Sequence, residues 1–158
     1  MNPDTPLSGA PLGSSNESAD TASTDPPSLR GIHHVRIPVS DVTASADWYG
    51  EVFGLQVLLV EEEENEVVGI VFSLGEGSPS VGLHLDPQRA AVLAGFCVVA
   101  IAVDSSEALS GWDSWLNQID AVHSPMVQGA LGWYIDISGP DGLIIQLHTP
   151  EHPSVEDS

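Results

Sequence analysis

Two stretches of this chain read as loose copies of one another, and that repetition constrains the fold more than any other feature. The expected elements run strand, helix, three strands, and then the same order again. A shift of 64 residues lays Val39 on Val103 and Trp48 on Trp112, and puts His34 on Val98. A shift of 62 aligns the closing strands, setting His84 against Gln146 and Pro79 close to Asp141. Two short units related in this way share one core or enclose one site.

The first unit opens on residues 31–39, GIHHVRIPV. Alternate residues of a strand point to opposite faces. Val35, Ile37 and Val39 therefore make an oily face, while His34, Arg36 and Pro38 share the other. The chain has only three basic residues, Arg30, Arg36 and Arg89, so an arginine in mid-strand on the non-core face is not generic surface charge. It either pairs with one of the many acids or contacts a bound anion, whose planar carboxylate or phosphate suits a guanidinium. We read this strand as a wall of a binding cavity.

Ser40 or Asp41 can cap a helix whose apolar positions are Val42, Ala46, Tyr49 and Phe53, closed by a left-handed Gly54. Residues 55–62 and 67–74 read as a hairpin around a Glu-Asn turn, its acidic tip solvated rather than a calcium loop. Residues 80–86 alternate as a fourth strand, Val81, Leu83 and Leu85 inward, Gly82, His84 and Asp86 outward. After a connector over 87–94, the apolar run 96–103 predicts a strand buried on both faces. Asp104 with Glu107 has the spacing of a reciprocal cap, and Leu109, Trp112, Leu116 and Ile119 make the stripe of a second helix. Residues 122–127 read as a short strand or connector and 133–137 as a strand, with either Tyr134 and Asp136 or Trp133 facing inward. The turn Gly139-Pro140-Asp141-Gly142 precedes a last strand over 143–148, on which Leu143, Ile145 and Leu147 oppose Ile144, Gln146 and His148.

A formal charge of −20 excludes nucleic acid and anionic membrane surfaces as partners, because both are held by lysine and arginine. The single Cys97 cannot form an internal disulfide and reads as a small buried hydrophobe. No apolar run approaches the roughly 20 residues of a membrane span, and no basic, then apolar leader is visible, so the expected location is cytoplasmic. Residues 1–29 read as a disordered N-terminal tail and 152–158 as a flexible C-terminal tail. The domain is expected over 30–151, with modules at about 31–87 and 96–150.

Three pieces in this order resemble the vicinal oxygen chelate superfamily, which contains glyoxalase I, bleomycin-resistance proteins and extradiol dioxygenases. They are Ile32-His33-His34-Val35 through Val39-Ser40-Asp41, Asp47-Trp48-Tyr49 through Val52-Phe53-Gly54-Leu55, and Gly139-Pro140-Asp141-Gly142 through Leu147. The resemblance implies an α+β fold, two tandem βαβββ modules whose curved mixed sheets enclose a cavity. It also implies metal ligands on the first and last strands of each module, which fall here on His34, His84, Val98 and Gln146. Val98 cannot bind a metal, and Gln146 stands where the family usually has a glutamate, offering a neutral carbonyl in its place.

The expected function is a small-molecule-binding protein of this type with an incomplete metal-ligand set, its pocket lined by His34, Arg36, His84, Gln146 and His148. The alternative is a lyase, isomerase or dioxygenase using His34, His84 and Gln146 to hold a divalent nickel, zinc, iron or manganese ion, with His148 in reserve. A third is a metal-free enzyme with an imidazole as general base. The expected cofactor is thus none or a divalent metal, and no catalytic residue is assigned. The expected partners are a small molecule, anionic if Arg36 holds it, and a second copy in a homodimer. His33 reads as a packing or edge residue, His123 as part of a connector and His152 as part of the tail.

Overall fold

Short-range signals set each element of the fold. In the computed structural model, which describes residues 24–150, the first strand β1 (His34–Val39) leads into α1 (Val42–Phe53). The Asp41 carboxylate accepts the Ala44 backbone N–H at 2.9 Å, and Gly54 ends α1 at φ 64°, the left-handed turn glycine adopts without strain. β2 (Gln56–Glu63) and β3 (Glu66–Ser73) form a hairpin whose turn residues Glu64 and Asn65 both have positive φ. β4 (Ser80–Leu85), the short α2 (Pro87–Val92), β5 (Cys97–Ala102) and α3 (Ser106–Gln118) follow. β6 (Val127–Gly129), β7 (Gly132–Ser138), the single turn Pro140–Gly142 and β8 (Ile144–His148) close the chain. Residues 24–31 form a separate unit without helix or strand. The tail expectations, and His152 with them, fall largely on residues 1–23 and 151–158, which lie outside the described residues.

The strands make two four-stranded sheets, ordered β1-β4-β3-β2 and β5-β8-β7-β6. The first and last strand of each module run parallel and the other pairs antiparallel. The duplication is therefore real at the level of topology. In the first module Arg36 lies opposite Gly82, and in the second Ala100 lies opposite Gln146. One shift of 64 relates both pairs, so the counterpart of Gln146 is Gly82 and that of His148 is His84. The shift of 62 expected for the closing strands is off by two residues, an error that preserves the face because side chains alternate with a period of two.

Three further expectations are corrected. Neither sheet is strongly curled; strands of three to eight residues in sheets only four wide give the natural twist little span over which to build curvature. β5 is not buried on both faces: Phe96 is 61% exposed, and Cys97 is an exposed free thiol. The cap of α3 is Ser105, whose Oγ accepts the Ala108 N–H at 3.1 Å, rather than Asp104.

The inner faces supply the core. Ile37, Val39, Phe72, Val81 and Leu83 pack with Val42, Ala46 and Tyr49 of α1, and Leu143 and Ile145 join them from the second module. Val52 of α1 enters the other cluster, formed by Val103, Leu109, Leu116, Ile135, Ile137 and Leu147. Thus α1 belongs to both cores. Two polar contacts reinforce the seam. The Ser40 backbone N–H and hydroxyl donate to the Asp141 carboxylate at 2.9 and 2.5 Å, and Trp115 Nε1–H donates to the Val52 carbonyl at 2.9 Å. Burial, and then the charge of Asp141, push the Tyr49 phenol above its ordinary range, so it stays neutral.

Two outcomes are expected. Asp141→Ala should lower stability by about 1–2 kcal/mol, an exposed charge-assisted pair being worth less than a buried one, and adding Ser40→Ala should cost little more; urea unfolding of the two single variants and the double variant measures this. Cys97 should react with iodoacetamide in the native protein, as a buried thiol would not. Loss of solvent around its sulfur, then the Asp136 charge, raise its pKa, so the midpoint of its pH–rate curve should lie above that of an unstructured cysteine peptide.

Candidate functional site

Strand register lays out the outer face of the first sheet as rows. Arg36, Gly82, Val71 and Leu59 are successive neighbours across β1, β4, β3 and β2. The next row is Pro38, His84, Gly69 and Glu61, and His34 stands beside Ser80 at the other end. The alternation of β1 is as expected, with Ile37 and Val39 buried and His34 and Arg36 exposed. Arg36 makes no ion pair or hydrogen bond with any described residue.

Two cavities meet at Arg36. One, of about 270 Å³, is lined by His33, His34, Arg36, Leu59, Glu61, Val71 and Gly82 among others. The second, of about 410 Å³, is lined by Arg36, His84, Asp86 and Arg89 among others. Arg89 Nη1 donates to Asp86 at 2.5 Å. The Arg89 backbone N–H holds Asp86 below the usual carboxylate range; burial, next in size, opposes it, and the Arg89 guanidinium adds to the lowering. His84 Nδ1 is the one buried side-chain nitrogen or oxygen among the described residues that lacks a hydrogen-bond partner. His33, expected as a packing or edge residue, is exposed just before β1, and its Nδ1 lies 2.9 Å from His34 Nδ1 with the rings nearly perpendicular.

On the second sheet Tyr134 and Asp136 share the outer face with Gln146 and His148, since Ile135 and Ile137 are fully buried. Gln146 Nε2–H donates to Asp136 Oδ1 at 2.9 Å, which leaves its carbonyl oxygen free. His148 lies face to face with Tyr134, centroids 5.9 Å apart and planes 16° from parallel. Its Nδ1 is 2.8 Å from the Thr149 carbonyl. A carbonyl can only accept, so Nδ1 carries the proton and Nε2 presents a lone pair.

The residues proposed as metal ligands do not fit one ion. His34 lies opposite Ser80 and His84 opposite Pro38, four positions and about 13 Å apart along the strands, whereas a bound metal sits about 2 Å from each ligand. Gly82 stands at the Gln146 position of the first module, and Val98 has no donor. Among the described residues no group of three or more His, Cys, Asp or Glu side chains could hold a metal. The structure therefore brings His34, Arg36 and His84 onto one face and Gln146 and His148 onto another. The sequence reading missed Glu61 and Arg89 as cavity residues. Glu61 needed the hairpin register, and Arg89 was open to the scarcity argument already applied to Arg36.

Residues 31–147 match the model of the Glyoxalase/Bleomycin resistance protein/Dioxygenase superfamily. Among curated proteins no match is found. Solved structures share the fold. A glyoxylase/bleomycin resistance protein/dioxygenase domain from Frankia sp. EAN1pec is 20% identical with a TM-score of 0.63, over 77% of this chain and 98% of that one. A lactoylglutathione lyase from Agrobacterium tumefaciens is 16% identical with a TM-score of 0.62, over 80% and 97%. An antibiotic binding protein from Streptomyces sp. CB03234 is 18% identical with a TM-score of 0.61, over 78% and 98%. With the repeated modules and the family match covering most of its length, the chain belongs to the Glyoxalase/Bleomycin resistance protein/Dioxygenase superfamily, as a small-molecule-binding protein of that type whose metal-ligand set is incomplete.

Proposed function

We propose that the protein binds a small anionic molecule on the outer face of the first sheet, with Arg36 as its anchor and no catalytic metal. The observation that carries this reading is the Arg36 guanidinium: among the described residues no acid pairs with it, and it lines two cavities. A bound carboxylate or phosphate would give it the paired, two-pronged partner it lacks. His34 and His84 flank it along the same face. The charge that repels nucleic acid and anionic membranes also makes a local cation selective, since little else on the surface competes for an anion.

Gln146 and His148 belong in this site as contributions from a second copy of the chain. The inner faces of both sheets are occupied by the shared core, so the polar outer face of the second sheet is free to cover a neighbour's ligand. Support for a homodimer also comes from β2, where Val57, Leu58 and Val60 are exposed, an apolar edge of the kind proteins cover. No helix among the described residues is long and apolar enough to cross a membrane, and a lone cysteine with no disulfide partner suits the cytoplasmic location we assign.

Calorimetry of the full chain with acetate, benzoate and phosphate, and with benzamide as the neutral analogue of benzoate, tests the anchor. Arg36→Gln should weaken the anions about 10- to 100-fold, the value of a charge-assisted pair, and leave benzamide within about twofold; equal weakening of benzoate and benzamide would overturn the role. Elemental analysis of protein purified without chelator should find less than stoichiometric nickel, zinc, iron or manganese. A full equivalent lost in both His34→Ala and His84→Ala would overturn the metal-free reading.

A further inference from the structure

The outer face of the first sheet has one residue whose identity nothing inside the protein requires. Gly82 lies in the middle of β4, between Arg36 on β1 and Val71 on β3. Its φ is not positive, so the backbone does not demand glycine. A Cβ built there would meet only the Val35 carbonyl at 3.7 Å and Val71 Cγ2 at 3.8 Å, ordinary contacts. Gly69, one row away, is different: the Glu61 side chain occupies the space its Cβ would need. The second module makes the same point, because its residue at this place is Gln146. The fold accepts a long side chain there.

Glycine inside a strand weakens it and commonly marks a place where a ligand approaches the backbone. The space above Gly82 is the cavity of about 270 Å³, with Arg36 and His34 on one side and Val71 and Leu59 on the other. Leu59 is 52% exposed, an apolar wall without a cover. Glu61 also lines this cavity and repels an acid group placed near it, so the charge of a bound molecule is directed to Arg36 and its apolar body toward Val71 and Leu59. The flanking rows on β1 and β3 are about 9.6 Å apart, twice the strand spacing, which leaves a slot that a flat ring enters more readily than a puckered one.

We infer that the ligand is a flat-ringed carboxylic acid, an aryl carboxylate, whose ring rests on Gly82 with its acid group on Arg36. This inference rests on the anion-binding reading above and adds the class of molecule. Gly82 is a specificity-determining residue: a methyl group there fits the protein and fills the floor the ring needs.

The test uses 2-naphthoate, cyclohexanecarboxylate and acetate as probes, read by calorimetry or ligand-observed NMR with the melting temperature of each variant. Wild type should bind naphthoate about tenfold tighter than cyclohexanecarboxylate. Gly82→Ala should weaken naphthoate about tenfold and leave acetate within about twofold, without a lower melting temperature. Leu59→Asn, at an exposed position, should weaken naphthoate and spare acetate. Unchanged naphthoate binding in Gly82→Ala, or a fall in melting temperature there together with unchanged naphthoate binding in Leu59→Asn, would overturn the inference. If Arg36→Gln weakens every acid alike while Gly82→Ala and Leu59→Asn alter none, the ring placement fails and the anion anchor survives. If no acid distinguishes wild type from Arg36→Gln, both fail.

Discussion

The packing of α1 against both halves of the chain is the constraint on which the other features depend. A four-stranded sheet with one oily face must cover that face: Val42, Ala46 and Tyr49 of α1 turn toward the first, Leu109 and Leu116 of α3 toward the second, and Val52 carries α1 into that second core as well. Removing so much apolar area from water is the main favourable term in a fold of this size. Its consequence is directional. Once the inner faces are committed to α1 and α3, the polar residues placed out of phase with the core on the described strands are turned to the outer faces, where a site can be built.

Polar groups at the seam act on this arrangement rather than create it. The Asp141 carboxylate at the N-terminal end of α1, and the indole N–H of Trp115 on the Val52 carbonyl near its other end, fix where the second module sits along the helix. The turn holding Asp141 puts it at φ 61°, a conformation that aspartate tolerates better than most residues. Under the shift of 64 its counterpart in the first module is Gly77, which has no carboxylate. The clasp is therefore one-sided, and the two modules are not interchangeable despite their common topology.

Most of the fold was legible because its signals are periodic or local. Alternation in β1 and β8, the 3–4 spacing of Tyr49 and Phe53, and the Gly54 stop each report on a few adjacent residues, and all reappear in the structure, whereas β4 is buried at Val81, Gly82 and Leu83 alike. Register was not legible. A period of two says which face a side chain takes but is silent about which partner it meets, so His84 was matched with Gln146 when its true counterpart is His148. The metal proposal inherited that slip: two imidazoles on the correct face stand four positions apart. Exposure of Cys97 and Phe96 was hidden for a related reason, because an uninterrupted apolar run looks the same whether a second layer covers it or not.

Comparison of the two outer faces then shows how a duplicated unit becomes an asymmetric site. At equivalent positions the first sheet has Arg36, Gly82 and His84, and the second has Ala100, Gln146 and His148. Where the first has charge and an open floor, the second has a small residue and a fixed amide. The amide is held by Asp136 and the imidazole is stacked on Tyr134, so both polar groups of the second face are oriented before any partner arrives, and orientation in advance reduces the entropy lost on binding. On the first face the reverse holds: among the described residues Arg36 has no ion-pair partner and His84 Nδ1 no hydrogen-bond partner. A face with unmet polar groups and a face with prearranged ones are complementary in the sense that recognition requires, and a single symmetrical ancestor repeated without change could supply neither.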